Sequence, residues 1–94
     1  MTRTWLVTGS SRGLGRALAT AVLEAGDTLV ATARHPEQLA DLAERFGDRV
    51  RTVALDVTDP VAVDAAVQTA VDTFGRLDVV VNNAGQADLS LIHI

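Results

Sequence analysis

The sequence predicts one α/β domain in which a parallel β-sheet is covered by helices on both faces. Three observations support this prediction: apolar runs of strand length, amphipathic segments of helix length between them, and glycines at the junctions. The chain has 94 residues, 48% hydrophobic and 21% charged, so it can bury one core and is too short for two domains. Aromatic residues make up only 3%, and a core of small branched side chains suits buried strands.

Four segments are predicted to be strands because their apolar residues follow one another with few polar interruptions. They are residues 4–8, 28–33, 50–55 and 77–82. The first ends at Gly9, where a helical period begins soon after.

Three segments between these strands have apolar residues at helical spacing. The first ends at Gly26, the second has Pro36 in its first turn, and the third follows an Asp59–Pro60 N-cap and ends at Gly75. The predicted buried faces are Leu14, Ala17, Leu18, Ala21, Val22 and Ala25; then Leu39, Leu42, Ala43 and Phe46; then Val63, Ala66, Val67, Ala70, Val71 and Phe74.

The predicted order β-α-β-α-β-α-β, with right-handed crossovers, produces a parallel sheet with helices on both sides. This is the first half of a Rossmann-like, doubly wound α/β fold, with four strands and three helices only. The final strand has no partner on its outer side, so residues 79–81 should form an open apolar edge. Such an edge promotes aggregation, and we expect this chain to be poorly soluble when isolated.

Composition excludes several classes of site. The chain contains no Cys, which rules out disulfides and cysteine-based zinc sites, and we predict no metal site. A net charge of −4 argues against nucleic-acid binding. No apolar run reaches the roughly 20 residues that span a membrane, and the N-terminus lacks a signal peptide, so we expect a cytoplasmic location. Tyr and Lys are absent, and all eight basic residues are Arg.

The loop between the first strand and helix carries glycines at G-x-x-x-G-x-G spacing. Gly9 allows a tight turn, Gly13 lets a pyrophosphate approach the backbone, and Gly15 allows the helix to pack closely on the strand. The unpaired N–H groups of the helix N-terminus can hold an anion. The alternative is an ordinary glycine-rich turn, which the flanking strand and helix disfavour.

Four motifs together resemble the short-chain dehydrogenase/reductase family. Residues 8–15 are similar to its T-G-x-x-x-G-x-G loop, and residues 55–57 to its adenine-contacting Asp-Val. Residues 75–78 resemble its G-x-L/I-D, and residues 82–85 its N-N-A-G signature. The resemblance runs from residue 4 to about residue 88 without a gap.

The resemblance implies an oxidoreductase that passes hydride between a nicotinamide cofactor and a small alcohol or carbonyl substrate, as a homo-oligomer. Residues 1–88 would be the N-terminal half of its NAD(P)-binding domain. The family's catalytic Tyr-x-x-x-Lys pair, Ser and helix Asn cannot be placed here, so we assign no catalytic residue and expect this chain alone to be inactive. The predicted cofactor-binding residues are Gly9, Ser11, Arg12, Gly13, Leu14, Gly15, Arg34, Asp56, Val57, Asn83, Ala84 and Gly85.

The end of the second strand indicates which cofactor binds. An acidic residue there holds the ribose 2′-hydroxyl of NAD, but this chain has Ala33 followed by Arg34. A guanidinium can bind a 2′-phosphate bidentately, and Arg12 approaches the same corner. We therefore predict NADP(H) in preference to NAD(H). The alternatives are that Arg34 is only solvated and that Arg12 pairs with an acid such as Glu37.

Two other site residues have open interpretations. Asp56 either contacts adenine or caps the following turn through its carboxylate, and these roles are compatible. Asn83 should lie along the cofactor ribose, whereas Asn82 is expected to do no more than tie strand ends together.

A second functional hypothesis is a non-catalytic dinucleotide-binding module that senses the state of the cofactor. The absence of Tyr and Lys is compatible with this role and equally with truncation. Residues 89–94, Leu-Ser-Leu-Ile-His-Ile, fit the codons CTG-TCT-CTT-ATA-CAC-ATC of a transposase adapter used in sequencing libraries. We therefore expect a non-native tail after Asp88 and assign no function to Ser90 or His93. The alternative is a natural tail in which Leu91, Ile92 and Ile94 pack on the sheet.

Overall fold

The computed structural model describes residues 2–56 and 58–83, and the backbone of residues 90–93. The strands are β1 (Thr4–Val7), β2 (Thr28–Ala33), β3 (Val50–Ala54), β4 (Val79–Asn82) and β5 (Ser90–His93). The helices are α1 (Gly13–Glu24), α2 (Ala40–Phe46) and α3 (Pro60–Phe74). Short 3₁₀ segments, Pro36–Leu39 and Gly47–Arg49, lie before and after α2.

The strands form one sheet in the order β3-β2-β1-β4-β5. The first four are parallel, as the sequence predicts, and β1 lies between β2 and β4, with Leu6 opposite Val30 on one side and Val80 on the other. The central position of β1 brings the loop that follows it to the carboxyl end of the sheet, between the ends of β2 and β4.

The fifth strand was not expected. β5 pairs antiparallel with β4, with Asn82 opposite Ser90 and Val79 opposite His93, so the prediction of an open edge at β4 is wrong. Only the seven residues 83–89 separate the two strands, whereas a parallel neighbour needs a crossover of about a dozen residues. The N–H and C=O groups on the outer edge of β4 are therefore paired with those of β5. The predicted poor solubility of the isolated chain loses the support of an open edge and stays a prediction.

Two apolar cores lie on opposite faces of the sheet. Alternate residues of each strand face opposite sides, so Val7 and Leu6 enter different cores. The first core contains the buried residues of α1 and α2, and the second contains those of α3. Helices therefore cover both faces, as predicted from the order of elements.

The predicted buried face of α1 is correct at Leu18 and Val22, which pack in the first core, and wrong at its other positions. Leu14 is 58% exposed, and the alanines at 17, 21 and 25 are also exposed. The buried residues are Gly15, Ala19, Val22 and Leu23. Because α1 is rich in alanine, several rotations of the helix offer a plausible apolar face. The face chosen presents Gly15, which has no side chain to hold the helix away from the sheet. In the other helices Ala43 and Val71 are also exposed rather than buried.

The ends of α3 follow the prediction. Asp59 is the N-cap, and its Oδ1 accepts the N–H groups of Val61 (3.0 Å) and Ala62 (3.4 Å). At the other end Gly75 adopts a left-handed φ of 79°, which a residue with a side chain rarely adopts.

Asp78 ties the start of β4 to β1. Its backbone N–H donates to Thr4 O at 2.9 Å, and its Oδ2 accepts the Thr4 N–H at 2.8 Å. Arg76 donates to both carboxylate oxygens, from Nε to Oδ2 at 2.8 Å and from Nη2 to Oδ1 at 2.7 Å. The bonds from Arg76, followed by that from Thr4, hold the pKa of the Asp78 carboxyl below its ordinary value of 3.8.

This arrangement predicts an acid-sensitive contribution to stability. A carboxyl whose pKa is lowered by folding stabilises the native state fully above its unfolded pKa of 3.8, and the contribution disappears as the pH falls through the lower folded pKa. We expect Asp78→Asn to be less stable than the parent near neutral pH and to lose less on acidification. Urea denaturation from neutral pH to about pH 2.5 measures both. Asp64→Asn, an exposed carboxyl on α3, controls for net charge; a parallel pH profile for Asp78→Asn and the parent would contradict the prediction.

Candidate functional site

The glycine loop, residues 8–12, connects β1 to α1 and is bound to the ends of three strands. The Thr8 N–H donates to Val81 O of β4 at 3.1 Å, and the Ser10 N–H donates to Thr32 O of β2 at 2.8 Å. The Ser10 hydroxyl donates to Val7 O of β1 at 2.7 Å. Thr8 and Ser10 are buried, and their hydrogen bonds fix the loop to the sheet. Arg12, at the end of the loop, is exposed.

The Thr8 hydroxyl joins this loop to the end of β4. It accepts the backbone N–H of Asn83 at 2.7 Å and donates its own proton toward Asn82 Oδ1 at 3.2 Å. Asn82 therefore ties strand ends together, as expected. The Thr8 contribution was not identified from the sequence, although threonine immediately before the first glycine of the motif was a signal for it.

Gly9 and Gly15 surround the side chain of Asn83. The Asn83 Nδ2 donates to Gly9 O at 3.4 Å. A Cβ on Gly9 would come within 2.6 Å of Asn83 O, and one on Gly15 would come within 2.5 Å of Asn83 Nδ2 and also meet Gly9 O. Neither contact is tolerable, so glycine is required at both positions. Gly9 also has a left-handed φ of 63°. The predicted close packing at Gly15 is present, but its neighbours are Gly9 and Asn83.

Asn83 is thus hydrogen-bonded to two residues of the glycine loop, Thr8 and Gly9. The sequence predicts that Asn83 contacts the cofactor ribose, and that contact stays a prediction. What the described residues reveal in addition is that its side-chain amide is hydrogen-bonded within the protein.

The N-terminus of α1 has the features of an anion site. Its N-cap, Arg12, makes no side-chain capping bond, and no acidic residue lies in the first turn. A Cβ on Gly13 would meet nothing within 4 Å, so open space adjoins the backbone at this turn. The pyrophosphate of a dinucleotide fits these residues, because the first N–H groups of the helix and the helix dipole attract an anion. Ser11, half-buried, and Leu14, exposed, flank the opening.

Asp56 follows β3 and closes a turn. Its Oδ1 accepts the backbone N–H of Thr58 at 2.9 Å and the Thr58 hydroxyl at 2.7 Å. These two bonds, with a smaller effect of the Arg34 charge, hold the pKa of the Asp56 carboxyl below its ordinary value. The turn-capping role is therefore confirmed, and the adenine contact stays a prediction.

Arg34 and Arg12 lie exposed at the corner between the glycine loop and β2. Within residues 2–56 and 58–83, neither side chain makes a hydrogen bond or an ion pair. No ion pair between Arg12 and Glu37 is present among these residues, and Glu37 Oε1 lies instead 3.9 Å from Nδ1 of the exposed His35. Ala33, at the end of β2, is buried and supplies no acid.

Three predicted site residues, Val57, Ala84 and Gly85, lie outside the described residues. Of the others, the structure brings the glycine loop, Arg34 and Asp56 to one end of the sheet, where doubly wound folds bind their ligands. Among the described residues, no cluster of acidic or histidine side chains could hold a metal ion, and no helix is of a length and apolarity that would cross a membrane.

The Thr8 contacts predict a specific cost. Thr8→Val keeps the shape of the side chain but leaves the Asn83 N–H without its acceptor, so we expect a loss of about 1–3 kcal/mol in the free energy of unfolding. Thr8→Ser, which keeps the hydroxyl, should lose less. Urea denaturation measures both, and equal losses for Thr8→Ser and Thr8→Val would refute the role of the hydroxyl.

The comparisons with known proteins agree with this geometry. The sequence model of the short chain dehydrogenase family matches residues 3–93. Among curated proteins, the oxidoreductase BOA17 of Botryotinia fuckeliana is 55% identical over 93 residues, covering 98% of this chain and 34% of that protein. The 3-oxoacyl-[acyl-carrier-protein] reductase FabG of Vibrio harveyi is 42% identical over 80 residues, covering 85% of this chain and 33% of that protein.

Solved structures give the same result. A short-chain dehydrogenase from Streptomyces avermitilis superposes with a TM-score of 0.83 at 46% identity, over 88% of this chain and 31% of its own. A 3-ketoacyl-(acyl-carrier-protein) reductase from Brucella melitensis complexed with NADH has a TM-score of 0.76 at 31% identity, over 83% of this chain and 32% of its own. The chain thus spans about a third of the length of the relatives it matches. A family match over nearly every residue, together with the shared fold, establishes that the chain belongs to the short-chain dehydrogenase/reductase family.

Proposed function

We propose that this chain is the NADP(H)-binding part of an oxidoreductase that transfers hydride between a nicotinamide cofactor and a small alcohol or carbonyl substrate. The observation that carries the cofactor choice is the corner after β2. There Ala33 is followed by the exposed Arg34, and the exposed Arg12 lies on the adjoining loop.

The described residues suit a dinucleotide in one orientation. The N-terminus of α1 and Gly13 would hold the pyrophosphate, and Arg34 and Asp56, which follow the ends of β2 and β3, would hold the adenosine end. Gly9, Ser11, Leu14 and Gly15 belong to the same loop and first helical turn, and we include them among the cofactor-binding residues. The cofactor, when bound, supplies or accepts the hydride. The similar Brucella melitensis reductase is complexed with NADH, which supports a nicotinamide cofactor for the same fold.

Charge decides between the two nicotinamide cofactors. A carboxylate at the end of β2 would repel a 2′-phosphate and bind a 2′-hydroxyl, and Ala33 can do neither. A guanidinium pairs with phosphate through two parallel N–H···O bonds. The Asp56 carboxylate is a negative charge near Arg34, and the charge of Arg34 contributes to lowering the pKa of Asp56. The Oδ1 atom of Asp56 already accepts two hydrogen bonds from Thr58. Arg34 is therefore available to the phosphate.

The chemistry on the substrate belongs to residues that this chain does not contain. The chain has neither Tyr nor Lys, and the family uses a Tyr-x-x-x-Lys pair for proton transfer to the carbonyl oxygen. We propose that these residues follow residue 88 in the complete protein, that the present residues alone are inactive, and that the complete enzyme is a cytoplasmic homo-oligomer.

The coding frame tests this proposal directly. We expect the gene, amplified from source DNA, to continue after the codon for Asp88 and to encode Tyr-x-x-x-Lys further on. Residues 89–94 can be encoded by the codons of a transposase adapter, which supports a non-native tail. A natural stop codon directly after Ile94 would refute both the tail and the missing catalytic segment, and would favour the sensor hypothesis.

Arg34 provides the test of cofactor choice. In the full-length product, Arg34→Ala should weaken NADPH binding by about 10- to 100-fold, since a charge-assisted contact contributes roughly 1.5–3 kcal/mol. NADH affinity should hardly change, because it lacks the 2′-phosphate. Fluorescence titration of each reduced cofactor gives both dissociation constants. Arg51→Ala removes one exposed guanidinium from β3 and serves as the charge control. Equal losses for both cofactors in Arg34→Ala would refute the assignment.

A further inference from the structure

Arg16 connects α1 to the segment that carries Arg34. It follows Gly15 directly, and only 26% of its side chain is exposed. The guanidinium forms an ion pair with Asp41 at the start of α2, and its Nη1 donates to Gln38 O at 3.4 Å. The hydrogen bond from Arg16 holds the pKa of the Asp41 carboxyl below its ordinary value, so Asp41 is a carboxylate at neutral pH.

The segment between β2 and α2 is held at two places. On its inner side, Leu39 is fully buried in the core. On its outer side, Gln38 accepts the bond from Arg16, and its own N–H donates to His35 O at 3.0 Å. A chain of two hydrogen bonds therefore leads from the Arg16 guanidinium to the residue next to Arg34. Within residues 2–56 and 58–83, this is the sole hydrogen-bonded link between α1 and residues 34–38.

We propose that Arg16 and Asp41 form a positioning pair that fixes the residues 34–38 backbone and thereby sets the discrimination for a 2′-phosphate. This inference rests on the proposed function, because it assigns the phosphate contact to Arg34. Arg16 is a positioning residue here: its own guanidinium is engaged by Asp41 and Gln38.

The physical basis is preorganisation. A long arginine side chain loses conformational entropy when it binds a phosphate, and the loss is larger if its backbone must be ordered at the same time. An exposed ion pair contributes little to stability, so the expected effect of Arg16 is on cofactor selectivity rather than on folding. When the pair is broken, residues 34–38 keep their own 3₁₀ hydrogen bonds and the neighbouring buried Leu39, and lose their hydrogen bond to α1.

A simple electrostatic role makes the opposite prediction for one variant. If Arg16 acted only through its positive charge, removing the negative charge of Asp41 would make the corner more positive and NADPH would bind more tightly. If the pair positions Arg34, Asp41→Asn breaks the pair and NADPH binds more weakly. The sign of the change in NADPH affinity therefore separates the two roles.

The experiment titrates NADPH and NADH into the full-length product carrying Arg16→Met or Asp41→Asn. We expect each to lower the ratio of NADPH to NADH affinity by about three- to tenfold, the size that corresponds to ordering one side chain on binding, with NADH affinity unchanged. Arg16→Lys keeps the charge and should retain part of the preference. An unchanged ratio of NADPH to NADH affinity in Arg16→Met and Asp41→Asn would overturn the inference. Tighter NADPH binding in Asp41→Asn would also overturn it.

A matched control exists in the same two helices. Arg45 Nη2 lies 2.8 Å from Glu24 Oε2, a second exposed ion pair between α2 and α1 at their other ends. Glu24→Gln should leave the affinity ratio as in the parent, whereas an equal change would mean that any loosening of the helices alters the ratio, and the specific role of Arg16 would be wrong.

Measurements in an Arg34→Ala background distinguish a failure of this inference from a failure of the proposed function. Adding Arg16→Met to Arg34→Ala should change the ratio no further, because the effect passes through Arg34. If Arg34→Ala itself leaves the ratio unchanged, the cofactor proposal fails. If Arg34→Ala lowers the ratio while Arg16→Met and Asp41→Asn do not, only the positioning role fails.

Discussion

The joint between the ends of β1 and β4 determines the rest of the site. The Thr8 hydroxyl accepts the Asn83 N–H at 2.7 Å, and the Asn83 side chain fits between two residues that have no side chains, Gly9 and Gly15. These contacts fix the path of the loop between β1 and α1. Since α1 begins immediately after the loop, the direction of its N-terminal N–H groups depends on the same contacts.

The strands were predictable because their residues are apolar in succession, a pattern with little ambiguity in an alternating α/β sequence. The rotation of α1 was not, because its alanines offer several apolar faces and the choice depends on where Gly15 can approach Gly9. β5 also escaped prediction, because pairing at the edge of β4 is made through backbone groups that any extended segment possesses.

The candidate site was partly predictable for a similar reason. The positions of the glycines, Arg34 and Asp56 follow from where strands end, and sequence order places those ends on one edge of the sheet. Asn83 contacts Gly9, which is 74 positions away in sequence, and Arg16 contacts Gln38, which is 22 positions away. No local sequence pattern predicts such contacts. They are visible only when β4 lies beside β1 and α2 lies beside α1.

The exclusive use of arginine as the basic residue has a consequence for a cofactor corner of this kind. Guanidinium groups stay protonated across the whole range in which proteins are folded, and they do not act as acids or bases there. Arg12 and Arg34 are the guanidinium groups exposed at this corner. A phosphate monoester, by contrast, loses its second proton near about pH 6. If the proposed 2′-phosphate binds at this corner, a change in its recognition near that pH would originate in the ionisation of the phosphate itself.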